Sequence, residues 1–291
     1  MIARRGEGRV ALLFLLPAGF GFVLFYAWPA LQTFYLSFTD YSLLATPNWV
    51  GAQNYADAMS DRKFWNALLV TGEYVLINIS VQTVVALLIA VLMHRLTKSS
   101  VVRGALLLPY LIANVVVALV WYTMLDAQLG IVNAMLTWVG IDPVAFFGET
   151  STAIPTIALV NVWRHMGYTA LLIFAGLQAI PTSVYEAAAI DGASEARVFR
   201  TITMPLLRPV LAMVLVLTVI GSFQIFDTVA VTTKGGPVDA TRVIYFYIYE
   251  KAFQQFDFGY AAALCVVLFL ILVGVALAQL KLLRAGSSDL D

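Results

Sequence analysis

Six stretches of this chain are each long and apolar enough to cross a lipid bilayer, at about residues 10–36, 67–93, 104–125, 154–178, 207–226 and 259–283. A helix rises about 1.5 Å per residue, so roughly 20 apolar residues cover the hydrocarbon layer. Inside that layer no water satisfies backbone N–H and C=O groups, and a continuous apolar run must close its own hydrogen bonds as a helix. The runs lack the period-two alternation of membrane-barrel strands. Charged residues make up 12% of the 291, against about a quarter in soluble domains. The expected fold is an all-α integral membrane protein of six transmembrane helices. Residues 1–291 read as a single membrane domain, with no internal repeat, low-complexity tract or dividing linker. The first run is too long for a signal-peptide core and has no A-x-A cleavage site, so it reads as a retained first span.

Lys and Arg accumulate on the cytoplasmic side of membrane proteins. Arg4, Arg5, Arg9, Arg95, Lys98, Arg103, Arg197, Arg200, Arg208, Lys281 and Arg284 fall in one set of connecting segments. Arg62, Lys63, Lys234, Arg242 and Lys251 fall in the other, and Arg164 lies within a span. The larger set predicts that both termini are cytoplasmic. The segment at about 126–153 contains Asp126, Asp142 and Glu149 but no Lys or Arg, as an outer loop should. Formal net charge is zero, so no basic surface recommends nucleic acid. The single cysteine, Cys265, sits in an apolar run and reads as a small buried hydrophobe; one cysteine also excludes an internal disulfide.

Between the fourth and fifth runs stands a charged, alanine-rich stretch, EAAAIDGASEARVFRTITMPLLRP, from Glu186 to Pro209. Pro181 ends what precedes it, and Thr182 or Ser183 can cap a new helix. Gly192 suits a left-handed helix end, and Ser194 can cap a second short helix leading to Pro205. The residues predict a helix–turn–helix over 181–209 on the cytoplasmic side. Ala187, Ala188 and Ala189 permit close approach of a partner, and Glu186 and Asp191 offer acceptors. On residues alone, a protein-docking surface and an ordinary solvated loop both remain open.

This stretch resembles the signature loop of permease subunits of binding-protein-dependent ABC importers: Glu-Ala-Ala, a glycine six residues after the Glu, then Ile and Pro downstream. Here these are Glu186, Ala187, Ala188, Gly192, Ile202 and Pro205, with Asp191, Ala193 and Phe199 also of the usual types. The likeness covers nearly the whole chain and points to the carbohydrate-uptake branch. LLPAGFGFVLFYAWPALQTFYLSFTDY and NWVGAQNY resemble that branch through Pro17, Pro29, Ser37, Phe38, Gly51, Asn54 and Tyr55. LGIVNAMLTWVGI does so through Gly130, Asn133 and Gly140, and GGPVDATRVIYFYIYEKAFQQFDFGYAAA resembles the branch's last outer loop and sixth span.

The resemblance implies a fold, an activity and partners. The loop would be a coupling element that docks on an ATPase subunit, with Glu186, Asp191 and Gly192 setting the geometry and Phe199 and Ile202 as anchors. The chain would pair with a second homologous permease, a dimer of ABC ATPase subunits and an extracytoplasmic solute-binding protein. It would form the pathway for a sugar in the inner membrane. The alternatives are the same architecture carrying a phosphorylated polyol such as glycerol 3-phosphate, and an ion-gradient-driven secondary carrier.

The residues carry no sign of chemistry of their own. No G-x-x-x-x-G-K-[ST] binds nucleotide, so ATP and Mg²⁺ belong to the partner ATPase subunits and no cofactor is expected on this chain. His94 and His165 have no metal-ligand spacing, and no metal site or catalytic set stands out. Within the spans, Glu73 sits towards the outer end of the second and Arg164 near mid-depth of the fourth. Arg164 reads as facing a wet pathway or a polar subunit contact. Asn114, Tyr122, Asn161, Arg164 and Gln224 are the candidate pathway residues. Asn78 and Gln82 could join them, although each such group taken alone also suits helix–helix contact. Tyr122 and Trp163 offer faces for a sugar ring.

Overall fold

The computed structural model describes residues 7–282 apart from 44 and 98, with side-chain environments from 13 to 281. Arg4, Arg5, Lys98, Arg284 and the side chain of Arg9 therefore lie outside the described residues. Among those described, secondary structure is helical: α1 (Glu7–Phe22), α2 (Trp28–Leu36), α3 (Gln53–Ser60), α4 (Arg62–Leu96), α5 (Ser100–Leu111), α6 (Asn114–Met124), α7 (Ile131–Trp138), α8 (Ala153–Gln178), α9 (Thr182–Ile190), α10 (Glu195–Val198), α11 (Met204–Phe223), α12 (Asp227–Val231), α13 (Ile244–Tyr249) and α14 (Phe258–Leu282). Only isolated bridges, Thr39 with Trp49 and Ser42 with Asp257, show extended pairing.

Five helical runs are long and apolar enough to cross a membrane: Leu13–Leu36, Arg62–Leu96, Ala153–Gln178, Glu195–Val231 and Phe258–Lys281. A sixth crossing is made if α5 and α6 count as one span, bent by 88° at Ile112–Ala113. The uninterrupted third helix expected over 104–125 is therefore broken. Two further departures from regular helix share a cause. π-turns at Val23–Ala27 and Phe199–Thr203 each end two residues before a proline, Pro29 and Pro205. A proline cannot donate to the carbonyl four residues back and its ring collides with it; a widened turn absorbs both faults.

The chain divides into two compact units. In residues 62–247 with 272–291, α4 packs along α8, with α11 beside both and α5 against α8. Ala86, Ala90 and Ala170 are fully buried in this packing. Such small residues let helix backbones approach closely where lipid supplies no hydrophobic drive. Gly167 does the same at α5, where a Cβ would overlap the Leu106 carbonyl. One core cluster joins Val70 and Tyr74 of α4 to Ile154 and Ile157 of α8 and to Val229. A second joins Ala90 and Met93 to Ile173, Leu177 and Leu207.

In residues 1–61 with 248–271, the segment after α2 is tied down by side chains. Asn54 Nδ2 donates to the carbonyls of Ser37 and Thr39, both at 2.9 Å, and Ser37 Oγ pairs with the Tyr55 hydroxyl at 2.6 Å. Phe38 stacks on Trp49 with centroids 5.3 Å apart. Ser37, Phe38, Asn54 and Tyr55, which carried part of the family resemblance, thus build one loop scaffold.

Candidate functional site

The polar residues of four spans meet in a cavity of about 280 Å³ between α4, α5, α6, α8, α11 and α12. Small-molecule sites commonly measure roughly 300–1,000 Å³, so this one suits a small solute. α4 contributes Tyr74, Asn78 and Gln82, and α8 contributes Asn161, His165, Tyr168 and Thr169. Each set recurs every three or four residues and so falls on one helical face. Tyr110 and Asn114 come from either side of the break in the third span, and Ser222, Gln224, Asp227 and Thr228 from the end of α11 and the start of α12.

Hydrogen bonds knit these walls together. Asn78 Nδ2 donates to Gln82 Oε1 at 3.1 Å and to Ser222 Oγ at 2.9 Å, and Gln82 Nε2 donates to Thr169 Oγ1 at 2.8 Å. These bonds link α4, α8 and α11. Asn161 Nδ2 reaches Thr228 Oγ1 at 3.3 Å, and Asn114 Nδ2 donates to Asp227 Oδ2 at 2.9 Å. The rings of Tyr110 and Tyr168 lie nearly parallel, 4.4 Å apart, and His165 meets Tyr110 edge-on.

Of the expected pathway residues, Asn114, Asn161 and Gln224 line the cavity, as do Asn78 and Gln82. Arg164 and Tyr122 do not. Tyr122 packs against Phe147, and Trp163 against Trp121. Arg164 donates to the carbonyls of Ile112, at 2.9 Å, and Tyr110, at 3.0 Å. Those carbonyls end α5 at the break, where no following turn can satisfy them. The arginine caps a helix end at the break between α5 and α6. Its remaining guanidinium nitrogen contacts His165 Nε2 at 2.9 Å, while His165 Nδ1 contacts the Asn161 carbonyl at 2.9 Å. Arginine can only donate, so Nε2 accepts and the ring proton sits on Nδ1. Glu73 is exposed on α4. Tyr74, Tyr110, His165, Tyr168 and Asp227 are cavity residues that sequence reasoning missed.

The stretch after α8 presents a second surface. α9 starts at Thr182, with Pro181 as its N-cap and no side-chain cap from Thr182 or Ser183. It ends at Gly192, whose φ of +69° favours glycine. Ala193 N bonds to Ala188 O at 3.0 Å and Gly192 N to Ala189 O at 3.1 Å, the paired bonds of a Schellman ending. Glu186, Ala187, Asp191 and Gly192 are exposed, while Ala188 is buried. Phe199, Ile202 and Pro205 are half-buried. Ile190, unmarked in the sequence, is 87% exposed beside Asp191. From Glu195 the helical run continues to Phe223, so α10 leads through its π-turn into the fifth span. Arg95 at the end of α4 forms an ion pair with Glu195 at 2.6 Å.

Several apolar crossings around a polar, ring-lined cavity define a multi-pass membrane protein of the permease class. Residues 82–281 match the family described as binding-protein-dependent transport system inner membrane component, and the chain belongs to that family. It is 32% identical over 280 residues to the trehalose/maltose transport system permease protein MalF of Thermococcus litoralis, covering 96% of this chain and 95% of that one. It is also 32% identical to the sn-glycerol-3-phosphate transport system permease protein UgpA of Agrobacterium fabrum, covering 89% of each chain. Its fold is that of a chain in the crystal structure of a bacterial ABC transporter that imports the acidic polysaccharide alginate. That likeness has a TM-score of 0.85 at 22% identity, over 97% of this chain and 98% of that one.

Proposed function

We propose that this chain is a permease subunit of an ATP-driven importer and forms the membrane pathway for a sugar or sugar-like solute. Family membership and relatives named for trehalose, maltose and starch degradation products support the cargo class. Residues 1–291 act as one membrane domain crossing six times, with the bent α5–α6 pair as the third crossing and both termini in the cytoplasm. The helix–turn–helix at 181–209 is then cytoplasmic. It docks on a separate ATPase subunit through Glu186, Ala187, Asp191 and Gly192, with Ala188 packed inside the turn and Phe199, Ile202 and Pro205 shaping its base. A dimer of ATPase subunits binds ATP and Mg²⁺ and hydrolyses the ATP. A second homologous permease completes the pathway, and an extracytoplasmic binding protein delivers the solute.

The observation that carries this reading is the helical run from Glu195 to Phe223, which α12 follows after a turn at 224–226. It begins beside the exposed turn and ends among the cavity residues Gln224, Asp227 and Thr228. A closed turn at Gly192 resists local unwinding, so a displacement applied at 186–195 travels along this helix to the cavity. α4 supplies a parallel route from Arg95, paired with Glu195, to Gln82 and Asn78. Alternating access follows: ATP binding draws the ATPase subunits together, the fourth and fifth spans shift, and the cavity changes the side on which it opens.

An ion-gradient carrier would need a titratable relay within the spans. Glu73 is exposed and Arg164 is committed to backbone carbonyls, so neither of the charges first considered for a relay serves one. Purification in mild detergent, followed by reconstitution, tests the proposal. An ATPase subunit should co-purify and ATP should drive uptake. Uptake by the chain alone, driven by a proton or sodium gradient, refutes it.

A further inference from the structure

We propose that α7 is an interfacial anchor: a helix too short to cross the membrane, which lays an apolar face into the boundary of the lipid bilayer beside the end of α6. The inference rests on the multi-pass membrane fold alone and is independent of the importer reading.

α7 is inside out for a helix in water. Ile131, Ala134, Met135 and Trp138 recur every three or four residues and so share one face. All four are exposed, Met135 at 60% and Trp138 at 89%. The opposite side carries the buried Asn133. A surface helix of a soluble protein turns its apolar stripe in and its polar residues out; this one does the reverse. Leu129, Val139 and Ile141, all exposed, extend the apolar surface past both ends of the helix. From Ala127 to Ile141 there is no charged residue. Exposed apolar surface gathered in this way marks a membrane or protein contact.

The buried side explains why the face cannot turn away. Asn133 Nδ2 donates to the carbonyls of Asp126 and Val144, both at 3.0 Å, and Asn133 Oδ1 accepts from the Val144 N–H at 2.8 Å. One side chain thus ties the segment before α7 to the segment after it. Gly130 approaches so closely that a Cβ there would overlap the Asp126 carbonyl. At the far end Gly140, with φ +82°, closes the helix by donating to the Thr137 carbonyl while Ile141 N donates to that of Leu136. Rolling α7 to hide Trp138 would break the Asn133 bonds and leave buried backbone groups unpaired.

Lipid fits this face better than protein does. Residues 125–130 alone separate α6 from α7, and Asn133 bonds back to Asp126, so α7 stays at the level where an apolar helix ends. Its eight residues extend about 12 Å, against about 30 Å of hydrocarbon, so it lies along the bilayer and does not cross it. Protein interfaces carry about one hydrogen bond per 100–200 Å². The side chains of Ile131, Ala134, Met135 and Trp138 offer one donor among them, the indole N–H. An apolar ring with one polar edge is the side chain that favours the bilayer interface. Val116, Leu119 and Val120 of α6, also exposed, present the same kind of surface one element earlier. Asp126 and Asp142 flank the uncharged stretch, so attraction to anionic headgroups plays no part and apolar burial sets the depth.

The test uses the full-length chain in phosphatidylcholine vesicles. Cys265→Ser removes the one native thiol, and Met135→Cys introduces a site for a nitroxide spin label. Leu129→Cys is a second site on the same surface, and Glu149→Cys, on an exposed loop, is the aqueous reference. Power-saturation spectroscopy compares collisions of the label with oxygen, which concentrates in lipid, and with a water-soluble nickel chelate. The label at 135 should favour oxygen and lie ~5–10 Å into the headgroup–acyl boundary. The label at 129 should also favour oxygen, and that at 149 should favour nickel. Adding phosphatidylglycerol should leave the depth at 135 unchanged. A label at 135 that collides freely with the nickel chelate places the face in water and overturns the proposal. A label shielded from both reagents places it against protein, such as a second permease, and overturns the proposal as well. A depth reached only with phosphatidylglycerol overturns its apolar basis. Leu129→Cys decides the matter if Met135→Cys fails to assemble. None of these readings involves uptake, so failure of the importer assignment would show separately, as absent ATP-driven transport.

Discussion

Gly192 offers a test in which backbone and side chain can be separated. Its φ of +69° lies in the left-handed region, and a Cβ added there would meet nothing within 4 Å. Within this chain, substitution therefore strains the backbone without crowding any neighbour. The left-handed conformation costs an L-residue about 1–2 kcal/mol. Gly→Ala also restricts the unfolded or opened chain, which adds a further penalty-free bias of about 0.4–1 kcal/mol only where the native φ is compatible; here it is not. Gly192→Ala should thus lower the closed-to-open ratio of the turn by about 5- to 30-fold, since 1.4 kcal/mol is a factor of ten. Asparagine tolerates the left-handed region much better than alanine, although it is larger. The expected order of ATPase affinity is Gly, then Asn, then Ala, then Val. Titration of detergent-solubilised permease with the ATPase subunit measures that affinity, and uptake in vesicles should follow the same order. Wild-type affinity in Gly192→Ala would refute the claim that the Schellman ending holds the docking surface together. If Asn proved as damaging as Ala, crowding against the partner would be the cause instead of φ.

Arg164→Ala should lower thermal stability in detergent, because two carbonyls at the break lose their donors, at about 1–3 kcal/mol for each left unsatisfied. Arg164→Lys should recover only part of it, and an unchanged melting temperature would remove the capping role. Gly167→Ala should cost about 1–3 kcal/mol or more, since the added methyl meets the backbone of Leu106 and not a side chain that can move; differential scanning fluorimetry reads it. Backbone N–H groups of Leu129 and Gln128 hold the Asp126 carboxyl below the usual carboxylate range. Its support for the loop is complete above the ordinary Asp value near 3.9 and is lost as pH falls through the lower, folded value. Hydrogen exchange at those two amides should therefore show no Asp126-dependent change between pH 5 and 8, and Asp126→Asn should abolish the acid-side loss of protection.

The crossings were legible because hydropathy is additive along the chain; their ends were not. α4 continues beyond the expected 67–93 to Arg62 and Leu96, since helix hydrogen bonding does not stop where the apolar residues do. The break at Ile112–Ala113 was hidden because an average over 104–125 is blind to direction, although Pro109 stands inside the run. The exposed turn at Gly192 was readable because everything that forms it lies within ten residues. The cavity was only partly readable. Asn78, Gln82, Asn114, Asn161 and Gln224 were visible one by one as polar groups in apolar runs. Spacing would have revealed more: 74, 78 and 82 on α4, and 161, 165 and 168 on α8, each form a single stripe. Asp227 was missed for another reason. It fell in what read as an outer loop, and only the turn at 224–226, which leads from α11 into α12, brings it to the cavity.

Arg164 shows how a charge within an apolar helical run can support a cavity without lining it. A span bent by 88° frees carbonyls that lipid cannot satisfy. The guanidinium on α8 meets those of Tyr110 and Ile112, and the same residue fixes the proton of His165, which in turn bonds to the Asn161 carbonyl. Tyr110, His165 and Asn161 all line the cavity. One chain of hydrogen bonds therefore holds the break and orients part of the wall, and it joins α5 to α8. Motion of the fourth span against the third must either carry this chain as a unit or break a part-buried, charge-assisted contact. The first is the cheaper course. The break in the third span is thus expected to move rigidly with α8.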